Sequence, residues 1–134
     1  MDITLLQPSG LVMSPAFSHV AIVPPGATTI YVGGQNGVDS SGAVVSADVG
    51  EQSARAIDNA AIALSAAGAG LEDVISWTVL LHAEADLRAA YGAVAAKLSR
   101  EGAPPLVTAA LVAGLGVPGA LVEVSAVAAV VRAD

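Results

Sequence analysis

The hydrophobic period of this chain changes four times along its length, and that order of changes restricts the folds open to it. Residues 18–23 and 29–34 read as strands, separated by Pro24-Pro25-Gly26, a turn in which proline fixes φ and glycine relaxes it. Asp39-Ser40-Ser41-Gly42 makes a second turn, into a short strand at residues 43–45. From about Asp48 the period becomes helical, with Ala54, Ile57, Ala61 and Leu64 on one face, and Gly68 and Gly70 end that helix. Residues 74–81 are strand-like. Leu87, Tyr91, Val94 and Leu98 then mark a second amphipathic helix, with Glu84 and Asp86 near its start and Lys97 and Arg100 near its end, as the helix dipole favours. Residues 106–113 and 121–131 complete the pattern as two more strands, joined by a glycine-rich hairpin. The expected fold is α+β, a mixed β-sheet with two helices packed on one face, in a single domain over residues 1–134.

Such a sheet leaves its other face bare, and here composition matters. The chain is 54% hydrophobic, 3% aromatic and 13% charged, so alanine and the aliphatic residues build the interior and too few charges remain to wet a whole sheet face. Packing that face against sister subunits is the simplest solution. A formal charge of −7 repels phosphate backbones, and Arg55, Arg88, Lys97, Arg100 and Arg132 are scattered in sequence, so nucleic acid is not an expected partner. The absence of cysteine excludes disulfides and thiolate chemistry. Met1-Asp2-Ile3-Thr4 lacks the basic and apolar regions of a secretory signal, and the expected location is cytoplasmic.

Residues 102–122 carry no charge and approach the length of a membrane span, but Gly114, Gly116, Pro118 and Gly119 interrupt them, so no membrane partner is expected. Gly114-Leu115-Gly116-Val117-Pro118-Gly119 matches the letters of a dinucleotide fingerprint. A proline and a β-rich segment follow it, where the fingerprint needs a helix N-terminus to meet a pyrophosphate. Histidines and carboxylates lack metal-ligand spacing, and there is no Gly-x-Ser-x-Gly elbow. No metal and no cofactor is expected.

Four local patterns, Ser14-Pro15-Ala16-Phe17-Ser18-His19, Tyr31-Val32-Gly33-Gly34-Gln35, the run from Ala54 through Asn59 to Ala67-Gly68, and Gly119-Ala120-Leu121-Val122-Glu123-Val124, together resemble the RidA family, also called YjgF or L-PSP proteins. The resemblance spans nearly the whole chain. It implies a RidA-like, chorismate-mutase-like fold that assembles as a homotrimer around the opposite sheet faces, with ligand clefts between subunits. The well-studied members hydrolyse enamines and imines derived from amino acids without metal or cofactor, others carry ribonuclease or translation-inhibitor labels, and many have no known activity.

The same resemblance assigns candidate residues. Glu123 takes the position of a glutamate that handles water at the imine carbon, and Gln35 is retained. Val107, in Pro105-Leu106-Val107-Thr108, stands where imine-hydrolysing members carry an arginine that grips the substrate carboxylate. Phe17 stands at the family's tyrosine, Gly33 at its serine, and Tyr91 near an asparagine. The substrate-binding set is therefore Phe17, His19, Gly33, Gly34, Gln35, Tyr91 and Val107, with Glu123 catalytic. Losing a buried charge-assisted anchor costs roughly 2–5 kcal/mol, about 30- to several-thousand-fold. Either the ligand has no carboxylate at that point, or another donor has taken over, or the cleft no longer catalyses.

Each residue also has a plain reading. Glu123 alternates with Val122 and Val124 and would be an ordinary outward strand residue on a monomer. His19 is either an acid–base partner for Glu123 across an interface or simply a surface histidine, and His82 ranks below it. Arg88 either replaces the missing anchor or sits on a solvated helix face, while Phe17 and Tyr91 either line a cleft or pack. Three functions follow in order: an imine or enamine deaminase with altered substrate preference, a non-catalytic trimeric small-molecule-binding protein, and, distantly, an endoribonuclease.

Overall fold

The computed structural model describes residues 2–132. Strands β1 (Thr4–Leu6) and β2 (Val20–Ile22) form a small antiparallel sheet. The main sheet holds β3 (Thr28–Asn36), β4 (Val74–His82), β5 (Leu106–Val112) and β6 (Val122–Val130), in the order β3-β6-β4-β5. Helix α1 (Val49–Ala66) connects β3 to β4, and α2 (Leu87–Leu98) connects β4 to β5. β6 runs antiparallel to both its neighbours and lies between β3 and β4. The two crossovers are therefore βαβ units, the first one split by the last strand.

This order corrects the hairpin expected for residues 106–131. β5 pairs in parallel with β4 and has no contact of register with β6, because β4 occupies the place between them. The glycine-rich segment is thus a connection across the end of β4. The short strand expected at residues 43–45 is reduced to a single bridge, Val38 with Val44.

Both helices start on an aspartate whose side chain satisfies an orphan backbone donor: Asp48 accepts from the Glu51 N–H at 2.9 Å and Asp86 from the Ala89 N–H at 3.1 Å. The face of α1 that meets the sheet carries Val49, Gln52, Ser53, Ala56, Ile57, Ala60 and Leu64, a stripe turned slightly from the one expected, so that two polar residues enter the core. Gln52 is fully buried and fully bonded. Its Nε2 donates to the Ser46 and Gly119 carbonyls at 2.8 and 3.1 Å, and its Oε1 accepts from the Leu121 N–H at 2.8 Å. Asn59 donates to the carbonyls of Asn36 and Val38, and Asn36 donates to the carbonyl of Val122. Through these bonds α1 holds the end of β3 and the start of β6 in register. Gly37 makes the close approach possible, since a Cβ there would lie 2.5 Å from the Gln52 Cα.

In α2 the buried residues are Ala90 and Val94 and Leu98 packs against the core, so the Val94–Leu98 half of the expected stripe faces inward while Leu87 and Tyr91 stay exposed. Tyr91 is 47% exposed. Lys97 and Asp58 join the two helices at the surface with a 2.8 Å ion pair. Beyond α2, the Arg100 guanidinium donates to the carbonyls of Glu72, Val74 and Ala103, which ties the chain before β5 to the turn that precedes β4.

Candidate functional site

The twofold alternation of β6 sorts its residues onto two surfaces. Val122, Val124, Ala126 and Ala128 are buried toward the helices, whereas Glu123, Ser125 and Val127 face the other way and are half-buried. That second surface, the open face of the sheet, carries Ser76, Thr78, Leu80 and His82 from β4 and Tyr31 from β3. Tyr31 is 79% exposed. A shallow groove of about 210 Å³ runs between Tyr31, Gly33, Ser76, Thr78, Ser125 and Val127.

At one end of this face the backbone of β3 bulges. Val32 pairs with Ala126 and Gln35 with Val124, so three steps along β3 match two along β6, with Gly33 and Gly34 inside the irregularity. The Glu123 carboxylate lies over the bare backbone of Gly34, where a Cβ would come within 2.8 Å of its carboxyl carbon and 2.9 Å of Oε2. It has no ion-pair partner among the described residues. The Gln35 amide bends back to donate to the Gly33 carbonyl at 3.2 Å. Three of the expected residues, Gly33, Gly34 and Glu123, therefore share one corner of the open face, while Gln35 pairs with Val124, whose side chain faces the helices.

A second group lies at the start of β5. The Phe17 and His19 rings meet edge to face with centroids 5.5 Å apart. His19 Nε2 is 2.7 Å from the Val12 carbonyl, an acceptor only, so that nitrogen donates. The Ser18 N–H donates to the Pro105 carbonyl at 3.0 Å and anchors this loop two residues before Val107.

Within one chain the two groups do not meet. Val107 pairs with Trp77, which turns it to the helix side, where it packs against the core. Glu123 aligns with Leu80, and Leu80 with Ala110, three residues beyond Val107 and two strands away from β6. From strand and residue spacings the separation of Glu123 and Val107 is about 14 Å. The expectation that Val107 looks into the same cleft as Glu123 is thus not met inside a single subunit. Tyr91 and Arg88 both lie on exposed positions of α2, in the layer opposite the open face. Arg132 donates to the Ala67 carbonyl and serves the end of α1.

Leu80, which the sequence did not single out, and His82, which it ranked low, are the residues of β4 beside Glu123. The signal existed in the alternation of β4, but which of its residues stands next to Glu123 depends on a pairing between segments some forty positions apart.

Two helices laid on one side of a mixed sheet, with a bulged strand seating a carboxylate on the uncovered side, define a small α+β class whose polar site sits on an open sheet face. The chain belongs to the Endoribonuclease L-PSP family, whose model matches residues 11–130. It is similar in structure to YyfB, a Rid-family protein of Yersinia pestis, with a TM-score of 0.83 at 24% identity over 96% of this chain and 98% of that one. A Mycobacterium tuberculosis member of the YjgF/YER057c/UK114 family matches with a TM-score of 0.65 at 25% identity, over 96% of this chain and 100% of that one. RidA from an Antarctic Psychrobacter matches with a TM-score of 0.67 at 24% identity, over 90% and 98% of the two chains. No curated protein matches the sequence. Among the described residues, no helix is long and apolar enough to cross a membrane and no cluster of side chains is suited to a metal ion.

Proposed function

We propose that this protein is a homotrimeric, cytoplasmic hydrolase of small imines or enamines that needs no cofactor, and that its ligand carries no carboxylate at the usual anchor. The observation that carries this reading is the Glu123 carboxylate, seated on Gly34 at the edge of an uncovered sheet face without a cationic partner. A carboxylate placed there, in the family to which this chain belongs, is suited to moving protons for water.

In the proposed reaction Glu123 takes a proton from water as the water oxygen bonds to the C=N carbon. The π pair moves to nitrogen, which receives that proton. In the second half the carbinolamine hydroxyl gives its proton to Glu123, the C–N pair leaves with nitrogen, and Glu123 returns the proton to it. A carbonyl compound and ammonia result. Gln35 and the Gly33–Gly34 backbone border the ligand, and the Phe17–His19 loop of a neighbouring subunit supplies the opposite wall, with Val107 packed behind it, since Glu123 and Val107 are about 14 Å apart within one chain. Tyr91 would reach a cleft only from a neighbour's helix layer.

A second reading, a trimeric binding protein without turnover, is favoured by Val107, which offers methyl groups and faces the core. Ammonia release separates the two. A neutral imine generated in situ by a flavin amine oxidase should be hydrolysed above the spontaneous rate, and Glu123→Gln should abolish the excess. 2-Iminopropionate should be processed poorly by both proteins, because its carboxylate finds no ion-pairing cation at Glu123 and, beside wild-type Glu123, adds a like charge. Wild-type rates equal to the spontaneous rate on all imines would leave the binding reading standing.

A further inference from the structure

The open face beside Glu123 carries a second polar group, and its chemistry specifies what kind of ligand this site takes. His82 ends β4 on the same side as Leu80, the residue directly opposite Glu123 in the β4–β6 register. It is therefore the diagonal neighbour of Glu123, with Cβ atoms ~7 Å apart, within reach of two long side chains or of one small molecule placed between them. The His82 N–H donates to the Leu121 carbonyl at 2.9 Å, which holds this end of the register closed.

The ring has a defined protonation pattern. The Glu84 backbone N–H points at His82 Nδ1 from 3.1 Å, and an N–H can only donate, so Nδ1 accepts and the ring proton resides on Nε2. With Nδ1 accepting, Nε2 is the ring's N–H donor. The neighbouring groups that bear charge are Glu84 in the same turn and Glu123 across the ladder, while β5 places Val112 beside His82. Among the described residues, neither His82 nor Glu123 forms an ion pair with a cation.

Resting on the reading that this face holds a small ligand, we propose that His82 and Glu123 together recognise a neutral compound with adjacent donor and acceptor groups, an amide or an amide-bearing imine. The carbonyl oxygen accepts from His82 Nε2–H, and the ligand N–H donates to the Glu123 carboxylate. A carboxylate ligand fails twice here, for it brings no N–H to Glu123 and adds a like charge beside it.

The test uses the full-length protein, pyruvamide and pyruvate, and no turnover. In protein labelled with ¹⁵N-histidine, the free His82 ring should show its proton on Nε2, and pyruvamide should shift that nitrogen saturably while pyruvate at the same concentration does not. By calorimetry, His82→Phe should weaken pyruvamide binding at least tenfold, and His82→Gln, which keeps an N–H donor, should recover part of the loss. A proton on Nδ1, no saturable shift with pyruvamide, or affinity within twofold in His82→Phe would overturn the assignment. Ammonia release does not enter these measurements, so pyruvamide binding at His82 without imine turnover would refute the hydrolase reading alone.

Discussion

The two faces of the main sheet are built from alternate residues of the same strands and obey different rules. Toward the helices, Val122, Val124, Ala128 and Val74 have no exposed surface, and the polar side chain of Gln52 among them has every donor and acceptor engaged. On the open face Tyr31 projects into solvent, Glu123 has no cationic partner, and serine and threonine line a groove. The comparison teaches that stability and function are separated here by one step along a strand. Substitutions on the helix side should cost folding free energy, whereas those on the open side should leave the fold intact and alter binding or assembly.

The largest effect is expected at Gly37. Alanine there drives a Cβ into the backbone of α1 at Gln52, and neither side can yield without moving a helix, so a loss of about 3 kcal/mol or more in urea unfolding is predicted. Gln52→Leu comes next at about 2 kcal/mol, since it leaves the Leu121 N–H and two carbonyls without their partner. Gly34→Ala sharpens the contrast. Its Cβ meets only the flexible end of Glu123, so thermal stability should fall by no more than about 1 kcal/mol, yet the carboxylate must move off its seat and pyruvamide binding should be lost. An unfolded Gly34→Ala, or a fully stable Gln52→Leu, would break the division between the faces.

The smallest effect belongs to neither face. Asp39 accepts from the Ser41 hydroxyl, and from the Ala43 and Ser41 N–H groups, which holds its carboxyl below the ordinary carboxylate range. The folded state therefore binds this proton less readily than the unfolded chain. The resulting stability is present above the ordinary carboxylate range and is lost as pH falls through the lowered value. Asp39→Asn should flatten a small part of the acid limb in a pH series of melting temperatures.

Much of this architecture was legible before the structure. The apolar period located both helices, and Asp48 and Asp86, read only as lying near the helix starts, prove to be their N-caps. The stripe of α2 held at Val94 and Leu98 but not at Leu87 and Tyr91, which stay exposed, while the small Ala90 is buried. Adjacent strands in sequence suggested a hairpin, and nothing local in residues 106–131 reveals that β4 lies between them. At the site, alternation alone turned Glu123 away from Val122 and Val124. The orientation of Val107 and the proximity of His82 follow from nonlocal registers, with Trp77 and with β6, which no local spacing encodes.

In the proposed assembly the open face is covered by copies of the same chain, which would bring the Glu123 corner of one subunit against the Phe17 loop of another. Thr78 lies on β4 in the groove of that face. Sedimentation equilibrium at micromolar concentration tests the claim on wild type and Thr78→Arg together. The account predicts three times the chain mass for wild type and one chain mass for Thr78→Arg, with unchanged far-UV circular dichroism. A single-chain mass for wild type, or a three-chain mass that survives an arginine at the centre of the face, would contradict it.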